Sequence, residues 1–206
     1  MKIENTKIEG VKTILSDPFR DERGFFNRIF CQEELSTIRP NLVIVQINHS
    51  MTKNKGTIRG MHFQYPPHSE MKIVRCVKGS IFDVAIDLRK GSPTFLQWHG
   101  EVLSVENMKA LVVPEGCAHG VQTLEDNVEM VYMSTAAYCK EAEGAVRYDD
   151  PKVGVRWPLE VSVVSQKDAG HALLDDPPPP PPYICRRLKN SNARIAPYII
   201  LRRLAV

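Results

Sequence analysis

An all-β fold, a double-stranded β-helix or jelly roll with short peripheral helices, is what this sequence predicts. Three observations carry that expectation. Short runs of alternating or β-branched apolar residues recur along the chain, and each is closed by a glycine or proline turn. Little of the chain carries a helical period, and many short strands at regular spacing indicate an antiparallel sandwich or barrel. A double-sheet jelly roll satisfies this pattern and leaves a cavity between its sheets. With 206 residues, 43% of them apolar, a single core needs neither disulfides nor a structural metal.

The elements follow in order. Ile3 to Leu15 mixes β-branched with polar residues and meets the turn Ser16-Asp17-Pro18, which reads as an opening strand. Asp21-Glu22-Arg23-Gly24 is a charged turn ahead of Phe25 to Phe30, whose aromatic content favours a strand. Gln32 to Ile38 fits a short helix stopped by Pro40. Leu42 to Asn48 is extended again, with Gln46 and Asn48 on one face. In Ile58 to Gln64 an arginine and a histidine flank Gly60, which permits a bulge that aims neighbouring side chains into one pocket. From Met71 to Lys78, alternation sets Lys72 on the side of Val74 and Cys76, which turns a lysine inward. Ser80 to Leu88 alternates most clearly, with Phe82, Val84, Ile86 and Leu88 opposite Asp83 and Asp87. Leu96 to Leu103, Leu111 to Gly116 and Val128 to Met133 complete the series, and Val128, Met130 and Tyr132 share a side.

One domain is expected over residues 1–176. Six consecutive prolines, Pro177 to Pro182, then open a stiff polyproline segment and a basic tail through residue 206. Setting aside the six basic residues of that tail turns the formal charge of +3 into −3, which argues against a nucleic-acid-binding body. Five scattered cysteines without a C-x-x-C spacing read as reduced cytosolic thiols. No stretch approaches the roughly 20 apolar residues that span a bilayer. The expectation is a cytoplasmic protein with neither a nucleic-acid nor a membrane partner.

The ordered series Arg23-Gly24-Phe25-Phe26, Gln46-x-Asn48-x-Ser50, Arg59-Gly60-Met61-His62-Phe63-Gln64, Lys72, Pro114-Glu115-Gly116-x-x-His119-Gly120, Tyr132, Tyr138, Asp149-Asp150-Pro151 and Ser165-x-Lys167-Asp168 resembles the dTDP-4-dehydrorhamnose 3,5-epimerase family. That family is a cupin branch acting on nucleotide-diphosphate 4-keto-6-deoxy sugars. The resemblance implies that His62 removes the proton next to the C4 ketone, that Asp168 orients its ring, and that Tyr132 returns a proton from the opposite face. It sets Lys72 near the developing enolate oxygen. It implies substrate contacts at Arg23, Phe26, Gln46, Asn48, Arg59, His119, Tyr138, Glu143 and Lys167, no cofactor or metal, and a homodimer. Arg28 departs from the pattern: better-known members carry a glutamate there, which leaves nucleotide identity open.

The chemistry is compatible with each role. Inverting a carbon next to a ketone takes a base on one face, an acid on the other, and a positive or hydrogen-bonding group at the oxygen that gains charge. Imidazole accepts a proton near neutral pH, and a phenol stays protonated until needed. Each residue also has a plainer reading: Tyr132 as a core-covering strand aromatic, Lys72 as a snorkelling surface residue, Tyr138 as packing, Asp168 as a surface carboxylate. His49, His68, His99 and His171 read as structural or solvent-facing. Two other functions compete. A metal-dependent cupin enzyme presents a His-x-His pair, and the chain has none. A non-catalytic nucleotide-sugar-binding cupin would have no need of base, orienter and acid together.

Overall fold

A computed structural model describes residues 1–174. Two antiparallel sheets face each other. The first is ordered β1 (Lys2–Asn5), β2 (Lys12–Leu15), β10 (Ala110–Val113), β7 (Lys72–Lys78), β12 (Val128–Ser134), β5 (Gln46–Thr52). The second runs β13 (Glu143–Ala145), β6 (Thr57–Gln64), β11 (Cys117–Thr123), β8 (Ser80–Asp87), β9 (Trp98–Ser104), with β14 (Val163–Val164) added parallel to β6. A separate hairpin pairs β3 (Phe19–Asp21) with β4 (Gly24–Phe26). Two one-turn helices, α1 (Gln32–Leu35) and α2 (Gln166–Ala169), lie at the periphery. This is the expected jelly roll. The expected polyproline tail lies outside the described residues.

Three apolar clusters explain why both faces of each sheet are committed. Val74, Cys76, Val128 and Met130 of the first sheet meet Ile81, Ala85, Cys117 and Val121 of the second in the interior. Leu35 and Leu42 cover the outer face of the first sheet at Ile14, Ile73, Val112 and Met133. The chain from Val146 to Leu174 covers the outer face of the second at Met61, Val84, Ile86 and Ala118. Doubly covered strands lose the alternation of a half-solvated sheet. That accounts for β11, whose seven residues are all buried and whose Cys-Ala-His-Gly-Val-Gln-Thr sequence gives no strand signal.

Other boundaries differ from expectation for local reasons. Ile3 to Leu15 is two strands, because Gly10, at φ +80°, turns the chain and β1 folds back on β2. The aromatic run after Gly24 is a strand only through Phe26, and the strand expected from Leu42 begins at Gln46. On β8 the apolar face of Phe82, Val84 and Ile86 packs outward beneath the C-terminal segment. Asp83 and Asp87 lie on the other face and are fully buried. The expected bulge is present: the pairing of β6 with β11 shifts between Arg59↔Val121 and His62↔His119. A Cβ at Gly60, which sits at φ +132°, would lie 2.5 Å from the Gly120 Cα, so the close approach of these strands requires glycine.

Candidate active site

A cavity of about 180 Å³ opens between the sheets. The first sheet sends in Gln46, Lys72, Tyr132 and Ser134, and the second sends in His62, Gln64 and Glu143. Glu70 and Tyr138 close it from adjoining loops. The bulge at Gly60 resets the alternation of β6, so that Met61 and Phe63 pack on the outer cluster while His62 faces inward.

His62 Nε2 lies 2.7 Å from Asp168 Oδ1. Asp168 is 4% exposed and is held by α2, whose Ser165 Oγ accepts its backbone N–H at 3.0 Å. The Gly60 N–H donates to its other oxygen at 3.3 Å. Burial works to raise the Asp168 carboxyl, but the His62 contact, the Gly60 N–H and Ser165 outweigh it and leave it below the usual range. The carboxylate is therefore ionised and accepts, which favours the His62 tautomer that donates through Nε2 and leaves the lone pair on Nδ1.

Tyr132 reaches the same cavity from the facing sheet. Burial, then the nearby Glu70 carboxylate, push its hydroxyl above the usual phenol value, so it holds its proton. Lys72 points inward as alternation implied, with Nζ 3.0 Å from Glu70 Oε1. At the rim, Glu143 accepts from Lys167 Nζ at 2.6 Å and from the Tyr138 hydroxyl at 3.1 Å. Gln46 Nε2 donates to Asn48 Oδ1 at 3.1 Å. Asn48 Nδ2, Ser50 Oγ and Ser134 Oγ are buried without a partner among the described residues, an uncommon state for polar atoms.

Not every expected residue joins this group. Arg59 is outside the cavity lining, with Nε donating to Thr52 Oγ1 at 2.9 Å. His119 is the cross-strand neighbour of His62 but is buried against Asp83, 2.7 Å away. Arg23 and Phe26 sit on the β3–β4 hairpin, where Arg23 pairs with Asp21 and Phe26 is 69% exposed. Neither lines the cavity. Arg28 pairs with Glu34 at 3.2 Å. Sequence reasoning missed Glu70, Gln64, Ser134 and Asp83, and read His171 as structural or solvent-facing. His171 in fact packs edge-on against His62. Two carboxylates inside the chain's most clearly alternating strand were the available signal for Asp83.

A jelly roll that sets an imidazole, backed by a carboxylate, and a phenol on facing walls of one cavity defines a cupin-type acid–base enzyme. The family model described as dTDP-4-dehydrorhamnose 3,5-epimerase matches residues 5–176. The chain belongs to that family. It is 42% identical over 177 residues to the dTDP-4-dehydrorhamnose 3,5-epimerase of Salmonella typhimurium, covering 85% of this chain and 96% of the relative. The structure resembles the Legionella pneumophila dTDP-6-deoxy-D-glucose-3,5-epimerase in complex with dTDP-4-keto-L-rhamnose (TM-score 0.79, 38% identity, 84% of this chain and 92% of that one). It also resembles a 3'-monoepimerase of Streptomyces bikiniensis in complex with dTDP-quinovose (TM-score 0.76, 28% identity, 80% and 84%).

Proposed function

We propose that this chain epimerises a nucleotide-diphosphate 4-keto-6-deoxy sugar, dTDP-linked as for its relatives, at C3, C5 or both. The observation that carries the reading is the entry of His62 and Tyr132 into one cavity from facing sheets, with Asp168 2.7 Å behind His62. In this reading His62 Nδ1 takes the proton from the carbon next to the C4 ketone, and Asp168 stabilises the imidazolium that forms. The electron pair moves onto the C4 oxygen, where the Lys72 ammonium meets the developing charge. Tyr132 then delivers its proton to the opposite face, which inverts the carbon. No electrons leave the substrate, so the step needs no redox partner. Gln46, Asn48, Arg59, Tyr138, Glu143 and Lys167 hold the sugar and diphosphate, while His119, buried against Asp83, takes no part. The unpartnered Asn48 Nδ2, Ser50 Oγ and Ser134 Oγ suit a polyhydroxylated ligand.

A homodimer belongs to the same proposal. Strand β5 is an edge of its sheet, and Ile47 and Met51 on it and Val43 and Val45 just ahead of it are exposed, as are Phe19, Phe25 and Phe26 on the hairpin. An apolar groove of about 550 Å³, larger than the polar cavity, runs beside residues 42–47. A partner seated there covers that surface and gives Arg23 and Phe26 a site to complete. A cytoplasmic location is supported by the free Cys31, Cys76, Cys117 and Cys139, and no described helix is long and apolar enough to cross a membrane.

The test is solvent deuterium exchange at C3 and C5, read by NMR, with dTDP-, GDP- and CDP-linked 4-keto-6-deoxy sugars. Incorporation with inversion is the expected result, and its absence from the whole panel removes the epimerase reading. Sedimentation of a monomer at micromolar concentration removes the dimer.

A further inference from the structure

His171 follows α2 and packs edge-on against the His62 ring, with centroids 6.5 Å apart and planes at 77°. Its Nε2 is buried and has no hydrogen-bond partner among the described residues. The proton transfer described above makes no use of it. One donor atom each from His62, Asp168 and His171 lie within 4.8 Å of one another. Two imidazoles and a carboxylate are the donor set of three-ligand zinc sites, which keep a fourth position open.

We propose that His62, Asp168 and His171 form a zinc-binding site whose occupation shuts off epimerisation. Tetrahedral zinc with bonds of about 2.0–2.2 Å needs donors about 3.4 Å apart. The 2.7 Å pair must open slightly and His171 must swing inward. The proton balance is simple. Zinc on His62 Nε2 replaces the proton shared with Asp168, and that proton moves to Nδ1. The ring then has no lone pair to accept a substrate proton, and the carboxylate that would stabilise an imidazolium is engaged by the metal. The shut-off, though not the binding, rests on His62 being the base.

Two readouts separate these parts. Calorimetric titration of the full chain with zinc should find one equivalent that depends on His171. Replacing an outer partner of a metal ligand costs roughly 10- to 100-fold in affinity, so losing the ligand itself in His171→Phe or His171→Asn should cost about 100-fold or more. Without metal, both variants should exchange deuterium at the wild-type rate. Zinc should abolish exchange in the wild type, reversibly with a chelator, at concentrations that spare both variants. Absence of a His171-dependent equivalent overturns the site. Zinc bound through His171 with exchange undiminished overturns the shut-off and the assignment of His62 as base.

Discussion

His62 and His119 are cross-strand neighbours on one sheet face, and each has a carboxylate oxygen 2.7 Å from its Nε2. Their surroundings set them apart. The His119 side chain is 9% exposed and that of Asp83 is fully buried, on adjacent strands of the barrel interior. The His62 side chain is 32% exposed and opens on the cavity, and its carboxylate comes from a one-turn helix outside the sheets. The same pair of groups thus stands buried in the interior in one place and opens on a cavity in the other. What separates them is exposure: the His62 ring lines the cavity, and the His119 ring does not.

The largest effect that would break this contrast is catalytic. His62→Asn should lower deuterium exchange by about 10²- to 10⁴-fold, with Asp168→Asn losing a large part of that, while both keep the wild-type circular dichroism. If His119→Asn proves equally damaging to exchange and harmless to stability, the assignment of the two pairs is reversed. Next comes stability. Asp83→Ala leaves a buried polar partner uncompensated and should cost about 3 kcal/mol, a fall in Tm of roughly 6–12 °C for a domain of this size. Asp168→Ala, nearer the surface, should cost clearly less in the same melt.

Asp87, on the same strand as Asp83, sharpens the structural side through pH. Burial works to raise its carboxyl, but hydrogen bonds from Arg89, Ser92 and Thr94 outweigh it and bring it down to about 2. A depressed carboxylate stabilises the fold fully above the unfolded value of about 4, and that contribution disappears as pH falls through about 2. The shift corresponds to about 2 kcal/mol. Asp87→Asn should flatten the acid limb of a stability profile between those limits. The smallest effect is at the rim: Tyr138→Phe removes one exposed hydrogen bond to Glu143 and should cost well under about 1 kcal/mol of stability. Its imprint should be on KM.

The cavity residues on alternating strands were legible because a period of two fixes which side chains share a face: Lys72 with Val74 and Cys76, and Tyr132 with Val128 and Met130. The bulge at Gly60 was legible from a glycine inside an apolar run. The inward turn of Asp83 was not, because an acid opposite an apolar face reads as solvated, and only the cover provided by Val146 to Leu174 makes both faces of β8 interior. His171 was missed for a related reason: its position depends on where an irregular segment docks, and no periodicity reports that. Arg23 and Phe26 stand in a recognisable motif, yet their hairpin does not reach the cavity within one chain.

Strand β14 and helix α2 lie some hundred positions along the chain from the strand they serve. During synthesis both sheets through β13 can assemble while His62 still lacks its anchor. Until residues 163–168 leave the ribosome and dock on β6, the imidazole has no carboxylate at its back. A single proteolytic cut just ahead of Val163 would strip β14 from β6 and the Asp168 carboxylate from His62 together.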